Sequence, residues 1–303
     1  MKHQIRLIAL SLLTSMVSAL AQVTPASTNA VQPMTTASPV TAFFYQKPMV
    51  LNREQHKSLK IQAANALFAS KNQAVPLLAA EFAEASLEYP IVFSQGPDGQ
   101  WMALALTGLT QNVNAFVDAK GQWNARYVPA SVRRYPFILA ETGQEGVKGS
   151  TKDGEQQLSL AADMAAPQLG TEGQALFDDK GEPTEVMKNI MGLLVDFQNQ
   201  AKLTNSIAQK LSEAGLLTQQ TLQVRLDEDR NAAVQGVWIV NESKLRELPD
   251  DKILAWFKGG ELAVIHAHMM SLRNLMPLLE RSMPMVASKT RKKPTARKEK
   301  SAS

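Results

Sequence analysis

Between Pro183 and Gly215, apolar residues recur every three or four positions, which predicts the longest helix of the chain. Proline is favourable at the start of a helix and glycine just after its end. We therefore expect one long amphipathic helix that follows a turn at residues 176–183. Its apolar stripe consists of Val186, Ile190, Leu193, Leu194, Phe197, Ala201, Ile207 and Leu211.

Shorter stretches with the same spacing predict helices on both sides of this one. Upstream, they predict one helix over residues 54–70 and another over residues 75–87, separated at Asn72. Downstream, we expect two short helices over residues 243–248 and 250–257. A longer helix follows over residues 262–281, and Pro277 is expected to break or kink it.

Stretches rich in β-branched and aromatic residues, bounded by turn residues, predict antiparallel strands. The clearest hairpin joins residues 89–94 to residues 101–106 through a turn at residues 96–99. We expect a second hairpin that closes at residues 119–122 and a helical turn at 129–131. A loop is expected at 143–154 and a charged turn at 227–231. Further strands are expected at 135–139, 158–160, 222–226 and 234–240. Because strands and helices do not alternate regularly, we predict an α+β fold. Its antiparallel strand meander and flanking helices would form a single main domain.

The two ends of the chain differ in composition from its body. Residues 1–21 have the parts of a secretory signal peptide, with Lys2 and Arg6, an apolar stretch, and Ala-Leu-Ala before Gln22. Residues 22–42 contain no charged residue and are rich in Thr, Ser, Ala and Pro, which predicts a disordered linker. We expect the folded domain at residues 43–286 and a basic disordered tail at residues 287–303.

The leader determines the expected location. Cleavage would place the protein in the periplasm or on the cell surface, whereas translation from Met34 or Met49 would leave it in the cytoplasm. After the leader, no stretch has the roughly 20 apolar residues that a membrane helix needs. We therefore expect no membrane-spanning segment after cleavage.

The net charge of +4 comes from the ends of the chain. The tail from Lys289 contributes +6 and the leader contributes +2, which leaves −4 for residues 22–288. Nucleic-acid-binding domains carry positive charge on their folded surface, so we expect no nucleic-acid partner. The tail has two open interpretations: a solvated end that aids solubility, or attachment to anionic lipid or a surface polymer.

The strongest candidate for a ligand site is a cluster of arginines and tyrosines. It contains Arg126, Tyr127, Arg133, Arg134 and Tyr135. Guanidinium groups bind carboxylate or phosphate through two parallel hydrogen bonds, and the aromatic rings could shape a pocket around them. In the alternative interpretation, Arg133 and Arg134 cap the end of a helix and the tyrosines lie in the core.

His266 and His268 could bind metal together on a strand, where both side chains would lie on the same side. The surrounding pattern instead predicts a helix, on which residues two apart point about 200° away from each other. We therefore expect no metal site. The favoured alternative is a half-buried His266 and a solvent-facing His268.

No motif in the chain indicates catalysis. The absence of cysteine excludes thiolate nucleophiles, and no Gly-x-Ser-x-Gly elbow or phosphate-binding glycine loop is present. The acidic residues at 178–182 are expected to form a turn rather than a calcium loop. We assign no catalytic residue and expect no cofactor.

Four segments carry a resemblance to a known family. They are Tyr-Pro-Ile-Val-Phe at residues 89–93, the aromatic and arginine-rich residues 123–137, Gly-Val-Trp-Ile-Val-Asn-Glu-Ser-Lys-Leu at 236–245, and residues 260–272. Together they make residues 43–281 similar to the SapC family, which is named for a protein linked to bacterial surface layers. The resemblance implies a component of the surface layer or envelope that is not the lattice subunit, and it implies no reaction.

Two functional hypotheses follow. The first is a non-enzymatic envelope protein that binds a surface polymer, anionic lipid or envelope protein through the arginine and tyrosine cluster and the tail. The second is an accessory protein or enzyme that holds the carboxylate of a small molecule or peptide through Arg133 or Arg134. It predicts a concave pocket around these two side chains. The motifs favour the first hypothesis.

Overall fold

The computed structural model describes residues 44–63, 65–141, 148–150, 157–225 and 231–290, which all belong to one compact unit. The helices are α1 (Phe82–Ala85), α2 (Ala130–Arg133), α3 (Glu185–Glu213), α4 (Glu242–Arg246), α5 (Asp250–Gly259), α6 (Glu261–Ser271) and α7 (Leu275–Thr290). The strands are β1 (Pro48–Val50), β2 (Lys60–Ile61), β3 (Ala74–Leu77), β4 (Ile91–Gln95), β5 (Trp101–Leu106), β6 (Phe137–Glu141), β7 (Lys148–Ser150), β8 (Gln157–Asp163), β9 (Leu169–Gly170), β10 (Gln174–Ala175), β11 (Leu217–Arg225) and β12 (Asn231–Val240).

The strands form three antiparallel sheets. The largest has five strands in the order β11-β12-β4-β5-β3, and the second contains β1, β8 and β6, with β7 also paired to β8. The third is a short sheet in the order β10-β2-β9. Within the described residues, every strand pair is antiparallel and the helices are interspersed among the strands. The chain therefore has the predicted α+β fold.

The long helix α3 connects two hydrophobic cores. Its 29 residues span about 44 Å at 1.5 Å per residue. In its second half, Ile207, Ala208 and Leu211 belong to the large core over the five-stranded sheet. In its first half, Met187 and Leu194 pack with residues of β6 and β8 in a smaller core. The candidate site lies beside this first half.

The structure confirms the clearest elements predicted from the sequence. The predicted long helix is α3, which begins after Thr184 and ends before Gly215, a residue in the left-handed conformation. The first predicted hairpin is β4 and β5, joined by a turn in which the Gly96 amide donates to the Gln100 carbonyl. The helical turn at 129–131 is the start of α2, and the strands at 135–139, 158–160 and 234–240 match β6, β8 and β12.

The predicted helix over residues 54–70 is wrong. The Asn52 side chain accepts hydrogen bonds from the Glu54 and Gln55 amides as a helix N-cap would, but only turns follow it over residues 53–58. The segment then forms β2 and ends in a single 3-10 turn at Leu67–Ala69. The helix predicted over residues 75–87 is correct only in its second half. Its first residues form β3, which pairs with β5 and buries all four side chains.

Two further predictions need correction. The break in the C-terminal helix lies at the 3-10 segment Leu272–Asn274, and Pro277 lies in the first turn of α7, where a missing amide donor costs little. The predicted loop at residues 143–154 contains β7, which is paired with β8. The rest of that loop and most of the turn at 227–231 lie outside the described residues. The same holds for the leader, the linker and the tail from residue 291.

Candidate functional site

A cleft of about 570 Å³ lies beside the first half of α3. Residues of β2, β10, the end of α2 and α3 line it: Ile61, Gln62, Ala63, Arg133, Arg134, Tyr135, Phe137, Gly173, Gln174, Val186, Ile190, Leu193 and Leu194. The wall is tightly built at Gly173, where φ is +101° and a Cβ atom would lie 2.3 Å from the Ile61 carbonyl oxygen. Only glycine fits this close approach.

Arg134 is the unusual residue of this cleft. Its side chain is buried, with 5% of the residue exposed. The guanidinium carbon lies 4.0 Å from the ring centre of Phe197 and 6.0 Å from that of Tyr45. Within the described part of the chain, Arg134 has no ion pair, and its buried Nε has no hydrogen-bond partner. Burial lowers the pKa of Arg134 from its ordinary value, and the nearby Tyr45 opposes this change.

The lack of a partner for Arg134 is energetically significant. A buried charge without a hydrogen-bonded counterion costs several kcal/mol, so buried charges are normally paired. Glu261 shows the usual arrangement: one carboxylate oxygen lacks a partner, but the other lies 2.5 Å from the Lys210 ammonium. Arg134 is stabilised instead by aromatic rings, through cation-π contacts that leave its hydrogen-bond donors available.

Asp163 fixes the position of Tyr135, which lines the cleft. Its carboxylate accepts hydrogen bonds from the Gln46 and Lys47 amides at 2.9 and 2.8 Å, and from the Tyr135 hydroxyl at 3.0 Å. Burial alone would raise the pKa of Asp163, but these bonds and one from the Ala165 amide lower it. Burial and the bond to Asp163 raise the pKa of Tyr135 above its ordinary value. Tyr135 is therefore a neutral donor fixed beside Arg134 in the chain.

Arg133 has a partner in the fold, unlike Arg134. Its guanidinium lies 4.0 Å from buried Glu81, and its Nε donates to the Val128 carbonyl at 3.0 Å. The same Glu81 carboxylate accepts hydrogen bonds from the Tyr127 hydroxyl at 2.5 Å and from the Ala130 amide at 2.7 Å. Burial and Glu81 both raise the pKa of Tyr127. This network holds α2 in place.

Arg126 lies apart from the other members of the predicted cluster. Its side chain is 95% exposed and its Nε lies 4.0 Å from Glu88. It lines a second, more polar cleft of about 770 Å³ together with Arg281. Arg281 already stacks on Phe116 and donates to the Asn124 carbonyl at 3.1 Å. The structure thus brings Arg133, Arg134 and Tyr135 to one cleft and places Arg126 on another.

The expected burial of the two histidines is reversed. His268 is fully buried, whereas His266 is exposed. The Nε2 atom of His268 accepts a hydrogen bond from the Val240 amide at 3.0 Å, and Nδ1 donates to the Ile91 carbonyl at 2.9 Å. Both are on α6, so the two side chains point apart. Among the described residues, no group of three acidic or histidine side chains could hold a metal ion.

Sequence reasoning missed several residues on which this geometry depends. Phe197 and Tyr45 cover the Arg134 guanidinium, while Glu81 and Asp163 fix the surrounding backbone. Both acids stand in otherwise apolar segments of the sequence, which is the signal that could have identified them. Phe197 was placed in the apolar stripe of α3, but the stripe does not reveal which ring contacts an arginine.

None of the described helices is both long and apolar enough to cross a bilayer.

A comparison with protein-family models shows the family of the chain. The SapC family model matches residues 51–278, which include every element that lines the cleft. No curated protein and no solved structure matches the chain. Because the family model covers most of the chain, this protein belongs to the SapC family.

Proposed function

We propose that this SapC-family protein is a non-enzymatic binding component that holds the carboxylate of a ligand at Arg134. The observation that carries the proposal is a buried guanidinium that has no counterion among the described residues, on a residue that lines a cleft. One unpaired guanidinium matches the single negative charge of a carboxylate and can bind it through two hydrogen bonds. Arg133 is a secondary contact, because Glu81 already neutralises its charge.

The lining of the cleft supports binding rather than catalysis. Apart from Arg133 and Arg134, the polar side chains that line it are Gln62, Gln174 and Tyr135. Amides do not act as nucleophiles or as general acids and bases at neutral pH, and the Tyr135 hydroxyl is engaged by Asp163. The lining as described therefore offers recognition without a group suited to proton transfer.

Thermal unfolding with and without a simple carboxylate tests this proposal. Butyrate should raise the melting temperature of the wild-type protein relative to chloride at equal ionic strength, because a ligand that binds only the folded state stabilises it. Arg134→Met should abolish the increase, and the matched variant Arg126→Met should retain it. An increase of equal size in both variants would contradict a site at Arg134.

We also propose that the protein acts in the cell envelope, with its basic tail as an attachment segment. The leader at residues 1–21 and the charge of the tail support this location. Attraction of about 1 kcal/mol per basic residue near an anionic surface would hold the tail there at moderate salt. The partner would be an anionic lipid, a surface polymer or an envelope protein.

The intact mass of the protein from fractionated cells tests the location. A product that begins at Gln22 in the periplasmic or surface fraction is expected. A product that begins at Met34 or Met49, or one that keeps Met1 in the cytoplasm, would overturn the envelope proposal. Deletion of residues 289–303 should release the protein from envelope material. If retention does not change on deletion or in high salt, the tail is not the attachment segment.

A further inference from the structure

The first half of α3 has an apolar stripe that the fold does not fully cover. Val186, Ile190 and Leu193 line the cleft and are all partly or largely accessible, with Leu193 39% exposed. Residues at this spacing lie on one face of a helix. Ile61 and Phe137 line the same cleft. The cleft therefore has an apolar wall that stays in contact with water in the free protein.

This stripe leads to the buried cation. The next position on the same face of α3 is Phe197, and its ring carries the Arg134 guanidinium at 4.0 Å. From Val186 to Phe197 the helix advances about 16 Å at 1.5 Å per residue. Phe197 itself is buried, but Arg134 lines the same cleft as Val186, Ile190 and Leu193, so the apolar wall and the guanidinium border one cavity.

We infer that the ligand of this cleft is a linear amphiphile, an alkyl-chain monocarboxylate whose head group pairs with Arg134 and whose chain lies along α3. This inference rests on the proposed carboxylate site and adds the alkyl chain as the apolar part of the ligand. A polar carboxylate would leave the wall formed by Val186, Ile190 and Leu193 in water. An alkyl chain covers that wall, and the Arg134 guanidinium gains the counterion that the described fold lacks.

Isothermal titration calorimetry with a chain-length series tests the inference on the full-length protein. The probes are butyrate, hexanoate and octanoate, with octylamine and octanol as matched compounds that lack the carboxylate. Affinity should increase about fourfold for each added methylene group, which corresponds to burial of that group in an apolar site. Octylamine and octanol should bind at least tenfold more weakly than octanoate.

Two variants separate the head group from the chain. Arg134→Met should reduce octanoate affinity at least tenfold. Leu193→Ser should weaken octanoate binding several times more than butyrate binding, since Leu193 is 39% exposed in the apolar wall and the longer chain covers more of that wall. Arg126→Met, in the other cleft, should change neither affinity.

The outcomes distinguish this inference from the proposed function. If butyrate and octanoate bind with equal affinity at a site that Arg134→Met removes, the carboxylate site stands and the amphiphile is wrong. The same holds if a polar peptide with a free C-terminus binds there more tightly than octanoate. If no carboxylate binds at millimolar concentration, both proposals fail. Octylamine binding as tightly as octanoate would show that the chain, not the charge, determines affinity.

Discussion

Buried polar groups are treated differently on the two sides of this molecule. Over the five-stranded sheet, His268 and Glu81 are satisfied by partners from the chain itself. At the cleft beside α3, Arg134 is equally buried but has no counterion among the described residues. Groups that stabilise a fold are paired within it, whereas a group that awaits a ligand is not. Gln73, Thr110, Gln168 and Glu261 also have one buried atom without a partner among the described residues, but of these groups only Arg134 also lines the cleft of about 570 Å³.

The largest expected change in the free energy of unfolding is at Glu81, whose carboxylate is hydrogen-bonded within the fold. Glu81→Ala would leave the Tyr127 hydroxyl and the amides of Leu78 and Ala130 without their acceptor. We expect a loss of about 3 kcal/mol in the free energy of unfolding, as for removal of one partner from a buried charged network. Urea unfolding measures it.

Glu88→Ala is the matched control for this loss. Glu88 also faces an arginine at 4.0 Å, but that arginine is almost fully exposed. The control should lose less than about 1 kcal/mol, because Arg126 is 95% exposed and its contact with Glu88 is long, at 4.0 Å. Equal losses in the two variants would mean that the Glu81 network does not hold α2.

The second effect depends on pH. Burial lowers the pKa of His268 to about 4, and its bond to the Ile91 carbonyl only partly opposes this. Above pH 6.5 the ring is neutral in both the folded and the unfolded chain. Below it, the unfolded chain takes up a proton that the folded chain cannot accept. The free energy of unfolding should therefore fall by roughly 3 kcal/mol as the pH drops from 6.5 towards 4.

Urea unfolding at several pH values measures this dependence. His268→Gln should flatten the profile in this range, since an amide can donate and accept without titrating. His266→Gln, on the exposed side of α6, should leave the profile unchanged. A steep profile that persists in His268→Gln would assign the pH dependence to other groups.

At the cleft we expect a smaller change in the free energy of unfolding, and in the opposite direction. Arg134→Met keeps an unbranched apolar side chain but removes the charged guanidinium that lies over Phe197. We expect the ligand-free protein to gain about 1 kcal/mol in the free energy of unfolding, because an apolar replacement avoids the cost of burying a charge. A loss of 3 kcal/mol or more would show that Arg134 is paired in the native protein, and the comparison would no longer hold.

The smallest effect is expected at the exposed arginine. Arg126→Met should change the free energy of unfolding by less than about 0.5 kcal/mol, since its side chain is 95% exposed. The same urea measurement applies. A larger loss would mean that the second cleft depends on Arg126 for its shape.

The sequence predicted the fold best where a pattern was long or flanked by turn residues. The α3 stripe and the turn at residues 96–99 between β4 and β5 were both recognisable for this reason. Residues 54–70 had helical spacing but form turns and β2, because β2 pairs with β10 and β9 from a distant part of the sequence. This pairing is not visible in the local pattern.

The candidate site was predicted as a cluster of residue types but not as a geometry. Arg133 and Arg134 are adjacent in sequence, yet only their distant partners distinguish them: Glu81 neutralises one and Phe197 stacks on the other. Arg126 is seven positions before Arg133 and lies on a different cleft. Such differences come from long-range contacts, which composition and spacing do not encode.

The junction between β12 and β4 has a consequence for local unfolding. Within the described residues, these strands meet through one residue pair, Trp238 with Phe93, and the His268 ring bridges them from Val240 to Ile91. A proton on that ring would remove the acceptor for the Val240 amide. The β11 and β12 hairpin would then open as a cooperative unit while β3, β4 and β5 stay paired. Mild acid should therefore lower the protection factors of the β12 amides, which account for the slower intrinsic exchange in acid, well before it lowers those of β5.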